Sequence, residues 1–481
     1  MTKPLRISIW AFLTLLLCPP GVWAQKSDLP AEAALAQPTA PYAPLLSWAS
    51  STDTSMDSEQ LTPDQHPQTG VQRLTLGQYS ELHSFVLPSV SLTTQLDINT
   101  GGSNVSSLTY LLGNLDLHHV AGRSELLLNY TGGGMISTYG ADANAVIQNL
   151  EFSDSFRGQR WSLLMADQVS YLSESSFGFG GVGGLGFLGS ASQSGPSGVA
   201  SGSLPSLDTV LIPSQTIPTA AVPRLSNTAL AQVEYDLSPR SSWTAFGSYG
   251  LLRFFGAGFV SSSNALFQTG YNYQVSPQSS IGVLYRLNVF QFTNLGQGID
   301  DQVVQLSYAR RVTGRLSFQL AAGPDMEMIH GPLTGPSTQL LWSLDSSLGY
   351  ALNRTALSLS YDHLVTGGSG VLVGAETNEV QGTVVRNFSQ TWQGSVSMGY
   401  ANNRSMLEAA VNTLQPLVSD WYGVVRVSDQ LRPGMSFFVA YGARLQGTNT
   451  DVCSAMNCGT NSITHEISLG FNWGLRPIAL R

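Results

Sequence analysis

Past Ser84 the chain is written in a two-residue rhythm that few folds can accommodate. In Ile281-Gly282-Val283-Leu284-Tyr285-Arg286-Leu287-Asn288-Val289 the odd positions are apolar, and Arg286 and Asn288 fall between them. Leu357, Leu359 and Tyr361 alternate with Ser358, Ser360 and Asp362, and Ile467, Leu469, Phe471 and Trp473 alternate with Glu466, Ser468, Gly470 and Asn472. Successive side chains of an extended strand point to opposite faces, so each segment is a strand with one apolar and one polar face. Phe438 is an exception: it interrupts Met435, Phe437, Val439 and Tyr441 from the polar side.

The pattern predicts strands near 86–98, 106–120, 123–131, 145–155, 159–172, 225–237, 242–255, 265–275 and 280–292. It continues through 301–312, 315–323, 338–352, 355–365, 377–388, 391–402, 418–429, 435–447 and 461–474. Most run nine to fifteen residues, longer than the usual 5–6 and enough for the roughly 9–11 that cross a bilayer at a tilt. Tyr and Trp recur near segment ends (Trp243, Tyr273, Trp342, Tyr350, Trp392, Tyr400, Trp421, Trp473), where interfacial girdles sit.

The links alternate in length. Short ones, such as Ala121-Gly122, Ser238-Pro239-Arg240-Ser241, Thr313-Gly314 and Asn353-Arg354, are followed by long ones near 99–105, 132–144, 173–224, 256–264, 293–300, 324–337, 366–376, 403–417 and 448–460. A soluble sandwich has no reason to keep that parity. A transmembrane antiparallel up-and-down β-barrel does, with short periplasmic turns and long extracellular loops. The expected fold is therefore all-β, about eighteen strands over 81–475, with both termini periplasmic. Only 11 % of the chain is charged, against about 25 % in ordinary soluble domains. A barrel tolerates this, because one face meets lipid and the other an uncharged polar lumen.

Residues 1–24 carry the marks of a cleaved export signal: Lys3 and Arg6, an apolar run from Ile7 to Leu17, and Val22-Trp23-Ala24 at the cleavage end. Eleven apolar residues are too few for the roughly 20 a membrane helix needs. Leu15-Leu16-Leu17 and Pro19 are poor flanks for lipidation of Cys18. Residues 25–80, rich in Ala, Pro, Ser and Thr, form a disordered periplasmic lead-in, and 476–481 form a tail. In an exported chain Cys453 and Cys458 are expected to make one loop-stapling disulfide. The 173–224 segment is Gly/Ser/Pro-rich. It is a mobile surface loop or, alternatively, a constriction folded into the lumen.

Chemistry-bearing motifs are sparse. There is no Gly-x-Ser-x-Gly elbow, His-Glu-x-x-His or phosphate-binding loop, so no catalytic, cofactor or metal residues are assigned. His118-His119, Asp362-His363 and His465-Glu466 are strand neighbours and point to opposite faces. The net charge of −9 argues against a nucleic-acid partner. By alternation Glu234, Asp236, Arg286, Asp345, Asp362, Arg426, Arg444 and Glu466 face the lumen, either ordering solutes in a transverse field or bracing the wall as ion pairs.

At Asn227-Thr-Ala-Leu-Ala-Gln-Val-Glu-Tyr-Asp-Leu-Ser-Pro-Arg-Ser-Ser-Trp, Ser248-Tyr-Gly-Leu-Leu-Arg-Phe-Phe, Gly270-Tyr-Asn-Tyr and Tyr308-Ala-Arg-Arg-Val-Thr-Gly-Arg-Leu, the chain resembles a family of uncharacterised bacterial outer-membrane β-barrel proteins. The resemblance covers about 70–475 and implies an outer-membrane barrel with a porin-like role, without assigned substrate or catalytic residues. The final strand departs from the usual aromatic terminus: Phe471 and Trp473 precede a tail ending in Arg481. The expected function is passive passage of small hydrophilic solutes, since barrels of about 16–18 strands enclose an aqueous channel. A plugged structural or surface-interaction barrel and a lipid-acting barrel enzyme are the alternatives. Expected partners are outer-membrane lipid, the barrel assembly machinery and small solutes, with the oligomeric state open.

Overall fold

The computed structural model describes residues 84–99, 104–139, 144–172, 223–256, 259–293, 295–331, 336–367, 372–406, 417–432, 434–448 and 462–480. The expected leader, the lead-in, nearly all of the 173–224 loop and the Cys453–Cys458 pair lie outside them. No described helix is long and apolar enough to cross a membrane.

Nine strands come first: β1 (Phe85–Asn99), β2 (Asn104–Ala121), β3 (Ser124–Tyr139), β4 (Ala145–Arg157), β5 (Trp161–Leu172), β6 (Arg224–Ser238), β7 (Ser241–Phe254), β8 (Ser262–Ser276) and β9 (Ser279–Phe292). Nine more follow: β10 (Gln297–Arg311), β11 (Leu316–His330), β12 (Ser337–Leu352), β13 (Thr355–Thr366), β14 (Ala375–Asn387), β15 (Trp392–Ser405), β16 (Leu417–Arg432), β17 (Met435–Thr448) and β18 (Ser462–Gly474). Each pairs antiparallel with its sequence neighbour, and β1 also pairs with β18, from Ser89 opposite Gly474 to Asn99 opposite Thr464. The sheet is thus closed. Closure removes the edges, which matters because backbone groups facing hydrocarbon find no water to bond.

The tight turns close by two kinds of local chemistry. Ala121 pairs with Ser124 across Gly122-Arg123, and Gly122 takes φ +62°, a conformation open to glycine in a two-residue hairpin. In Ser238-Pro239-Arg240-Ser241 and Ser276-Pro277-Gln278-Ser279 the first serine Oγ accepts the N–H two residues on, at 3.2 Å in each. Thr313 Oγ1 does the same for Arg315 at 3.2 Å, and Ser389 Oγ for Thr391 at 3.2 Å. These short hydroxyl side chains satisfy turn donors that a strand ladder cannot reach.

Three departures from the sequence expectation are structural. Much of the 132–144 and 324–337 links is strand, since β3 runs to Tyr139, β11 to His330 and β12 starts at Ser337. Thr131-Gly132-Gly133-Gly134 lacks apolar alternation, yet it pairs with Val146–Asn149 of β4, because the ladder is made by backbone groups that glycine supplies as well as any residue. The expected tail holds a two-residue strand, β19 (Ile478–Ala479), which extends the pairing of β1 at Phe85 and Val86. Finally, the β12–β13 ladder stops at Leu344 opposite His363, leaving Ser337–Ser343 of β12 with a partner on the β11 side only.

The β10–β11 ladder is interrupted as well. No register partners join Val304 and Gln305 to Gly323 and Pro324, consistent with proline's missing donor. A Cβ at Gly323 would lie 2.8 Å from the carbonyl carbon of Val304 and 2.9 Å from Gln305 Cα. Backbone cannot give way as a flexible side chain can. Gly323→Val is therefore expected to destabilise the barrel by about 1–3 kcal/mol, read as a lowered urea midpoint of unfolding in detergent micelles. An unchanged midpoint would refute the close approach.

Candidate functional site: the charged inward face

The densest chemistry lies on the inward face of β9–β14. Asp301 on β10 stands directly opposite Glu327 on β11, and Asp325 is the next inward residue along β11. Asp301 and Glu327 are each 1 % exposed. Arg286 of β9 brings its Nε to 4.0 Å from Asp301 Oδ2. One step further, Gln305 donates from Nε2 to Ser343 Oγ at 3.0 Å and to Asp345 Oδ2 at 2.7 Å. Asp345 itself opens a row set by strand register: it faces Asp362 on β13, which faces Glu379 on β14. Across Ala401 the row continues to Asp420 on β16.

There the charge is matched. Arg444 Nε donates to both Asp420 oxygens at 2.9 Å, and Nη2 reaches Oδ2 as well. Arg426 lies 4.1 Å above the Phe438 ring centroid, a buried cation–π contact. Glu466 faces Asp97 on one side and Gly442 on the other. Glu234 is buried opposite Thr244, whereas Asp236, on the same row, is exposed at the tight-turn rim beside a bulge. Among the described residues no three His, Cys, Asp or Glu side chains are grouped to hold a metal ion.

The outward face is the inverse. Leu92, Leu359, Val425 and Leu469 are half-exposed, while the alternate residues Gln305, Ser343, Asn403 and Ser468 are fully buried. Leu469 is 48 % exposed and its neighbour Ser468 0 %. A chain folded in water would do the opposite, and an apolar surface this extensive needs lipid against it. Exposed aromatics edge it at both ends: Trp243, Tyr350, Trp392 and Trp473 near the tight turns, Trp342 and Trp421 toward the other rim. From Tyr350 to Trp342 is a rise of about 20 Å at the usual tilt, close to the apolar band of such barrels. The chain is a transmembrane β-barrel of the outer-membrane type.

No protein-family model and no curated protein matches the chain. Among solved structures it is similar to Pseudomonas aeruginosa OccK2 (OpdF), with a TM-score of 0.42 and 10 % identity over 82 % of this chain and 97 % of that one. It is similar to a BenF-like porin from Pseudomonas fluorescens Pf-5, at 0.42 and 10 % over 82 % and 99 %. It is likewise similar to P. aeruginosa OpdK with vanillate, at 0.41 and 9 % over 81 % and 99 %. The assignment of the fold rests on the closed register and the inverted faces.

Other features of the barrel interior were not legible in the sequence pattern. Phe290, Phe292, Ile299, Ile329, Val365 and Met406 form an apolar cluster at the end away from the tight turns, where a polar inward row was expected. Ile299 and Ile329 are each two residues from Asp301 and Glu327, so this layer sits directly beside the acids. The histidines separate as their alternation requires. His118 faces Glu125 at 3.1 Å within the wall, while His119 Nδ1 lies 3.0 Å from Ser84 Oγ, a hydroxyl that also accepts the Val120 N–H. His363 stacks on Trp342 at 4.2 Å, and His465 meets the Tyr441 hydroxyl at 2.9 Å.

Proposed function

We propose that the chain is an outer-membrane channel for passive passage of small hydrophilic solutes, with its tight turns and both termini on the periplasmic side. The observation that carries this reading is a closed wall whose inward row is polar and charged while its outward row is apolar. Such a wall removes polar groups from lipid and offers them to an interior path. The eight charged residues Glu234, Asp236, Arg286, Asp345, Asp362, Arg426, Arg444 and Glu466 contribute to that lining. On this reading the chain is not an enzyme, and its partners are outer-membrane lipid, the assembly machinery that inserts barrels, and the solutes themselves.

Single-channel recording of the refolded chain in planar bilayers tests it. Steady current steps, altered in size by Arg286→Glu, are expected. A heat-modifiable, folded barrel that carries no current would overturn the channel and favour a plugged or lipid-acting barrel. Phospholipid hydrolysis by the same preparation would favour the lipid-acting one.

A further inference from the structure

We infer that the interior path alongside β9–β14 is a cation-selective constriction, passing small hydrophilic solutes that carry ammonium or guanidinium groups and holding anions back. This rests on the channel reading above and names its solute class. Asp301, Asp325, Glu327, Asp345, Asp362 and Glu379 share this stretch of inward wall, and the guanidinium beside them is that of Arg286. Two acids directly opposite in a ladder repel when both are ionised, and Asp301 stands opposite Glu327 where bulk solvent barely reaches.

Three of these acids, Asp301, Asp325 and Glu327, have buried carboxylate oxygens without donors. Neither oxygen of Asp301, nor Asp325 Oδ1, nor Glu327 Oε1 accepts a hydrogen bond, and Arg286 Nε donates none. Buried acceptors left without donors are costly, and a cation bearing several N–H groups is the species that answers them with charge-assisted bonds. No three of these acids close into a metal-binding group, so they act as a field along a path and not as a coordination shell. The apolar layer of Ile299 and Ile329 beside them is a low-dielectric wall, which focuses that field on the passing ion.

The test is the reversal potential of the refolded full barrel in a planar bilayer under a KCl gradient. K⁺ is expected to be favoured over Cl⁻ by about tenfold. The double variant Asp301→Asn, Glu327→Gln, which keeps side-chain shape, should lower that ratio several-fold with conductance retained. Added arginine should interrupt the K⁺ current, and added glucuronate should not. A reversal potential at zero or on the anion side, or a double variant with unaltered selectivity, overturns the cation assignment while leaving the channel standing. A folded barrel without any conductance overturns both.

Discussion

Arg444→Ala is expected to destabilise the barrel by about 3–5 kcal/mol, the range for removing one partner of a buried ion pair. Asp420 is 0 % exposed, and Arg444 holds both of its oxygens. Removing the guanidinium leaves a buried carboxylate without its counter-charge. Arg444→Lys should recover only part of the loss, because an ammonium cannot span both oxygens as the planar fork does. The double variant Arg444→Met, Asp420→Leu should lie much nearer the parent than Arg444→Ala does, since no buried charge is then left alone. Urea unfolding in lipid vesicles or detergent reads these differences. A loss below roughly 1 kcal/mol for Arg444→Ala would place the pair in a solvated setting.

Leu359→Arg should cost about 2–4 kcal/mol, as charged groups do near the midplane on the lipid face of a barrel. Leu359 is on the exposed apolar row of β13, between Leu348 of β12 and Gly382 of β14, and about midway along its ladder. The adjacent Ser360→Arg provides the contrast. Ser360 belongs to the inward row that carries Asp362, so the same charge enters an acidic interior and should be tolerated. Equal penalties at 359 and 360 would mean that the two faces are not inside and outside as described.

The alternation of Leu357, Leu359 and Tyr361 with Ser358, Ser360 and Asp362 was sufficient to tell strand from helix and one face from the other. Turn chemistry was equally local: Ser-Pro-Arg-Ser and Ser-Pro-Gln-Ser each close a hairpin with atoms two residues apart, and Ala-Gly does so through the left-handed glycine. Eighteen strands, their antiparallel order and the inversion of faces follow from such short-range information, because a strand that alternates strictly has only one way to lie between lipid and an interior. Arg286, Asp345 and Arg444 were placed on the polar face by the same arithmetic.

Tertiary structure decided what depends on register between distant residues. Phe438 broke the alternation because its ring fills the space above Gly470 on the neighbouring strand, where a Cβ would lie 2.8 Å from Cδ1. Glu327 fell in an expected loop, and its position opposite Asp301 emerges only when β11 pairs past the lipid band. The row from Asp345 through Asp362 and Glu379 to Asp420 spans five strands, and each step is set by the length of a hairpin. Alternation states which face a side chain takes. Which residues meet across that face is fixed by hydrogen-bond register, and a shift of one residue in any ladder would send the carboxylates to the lipid side.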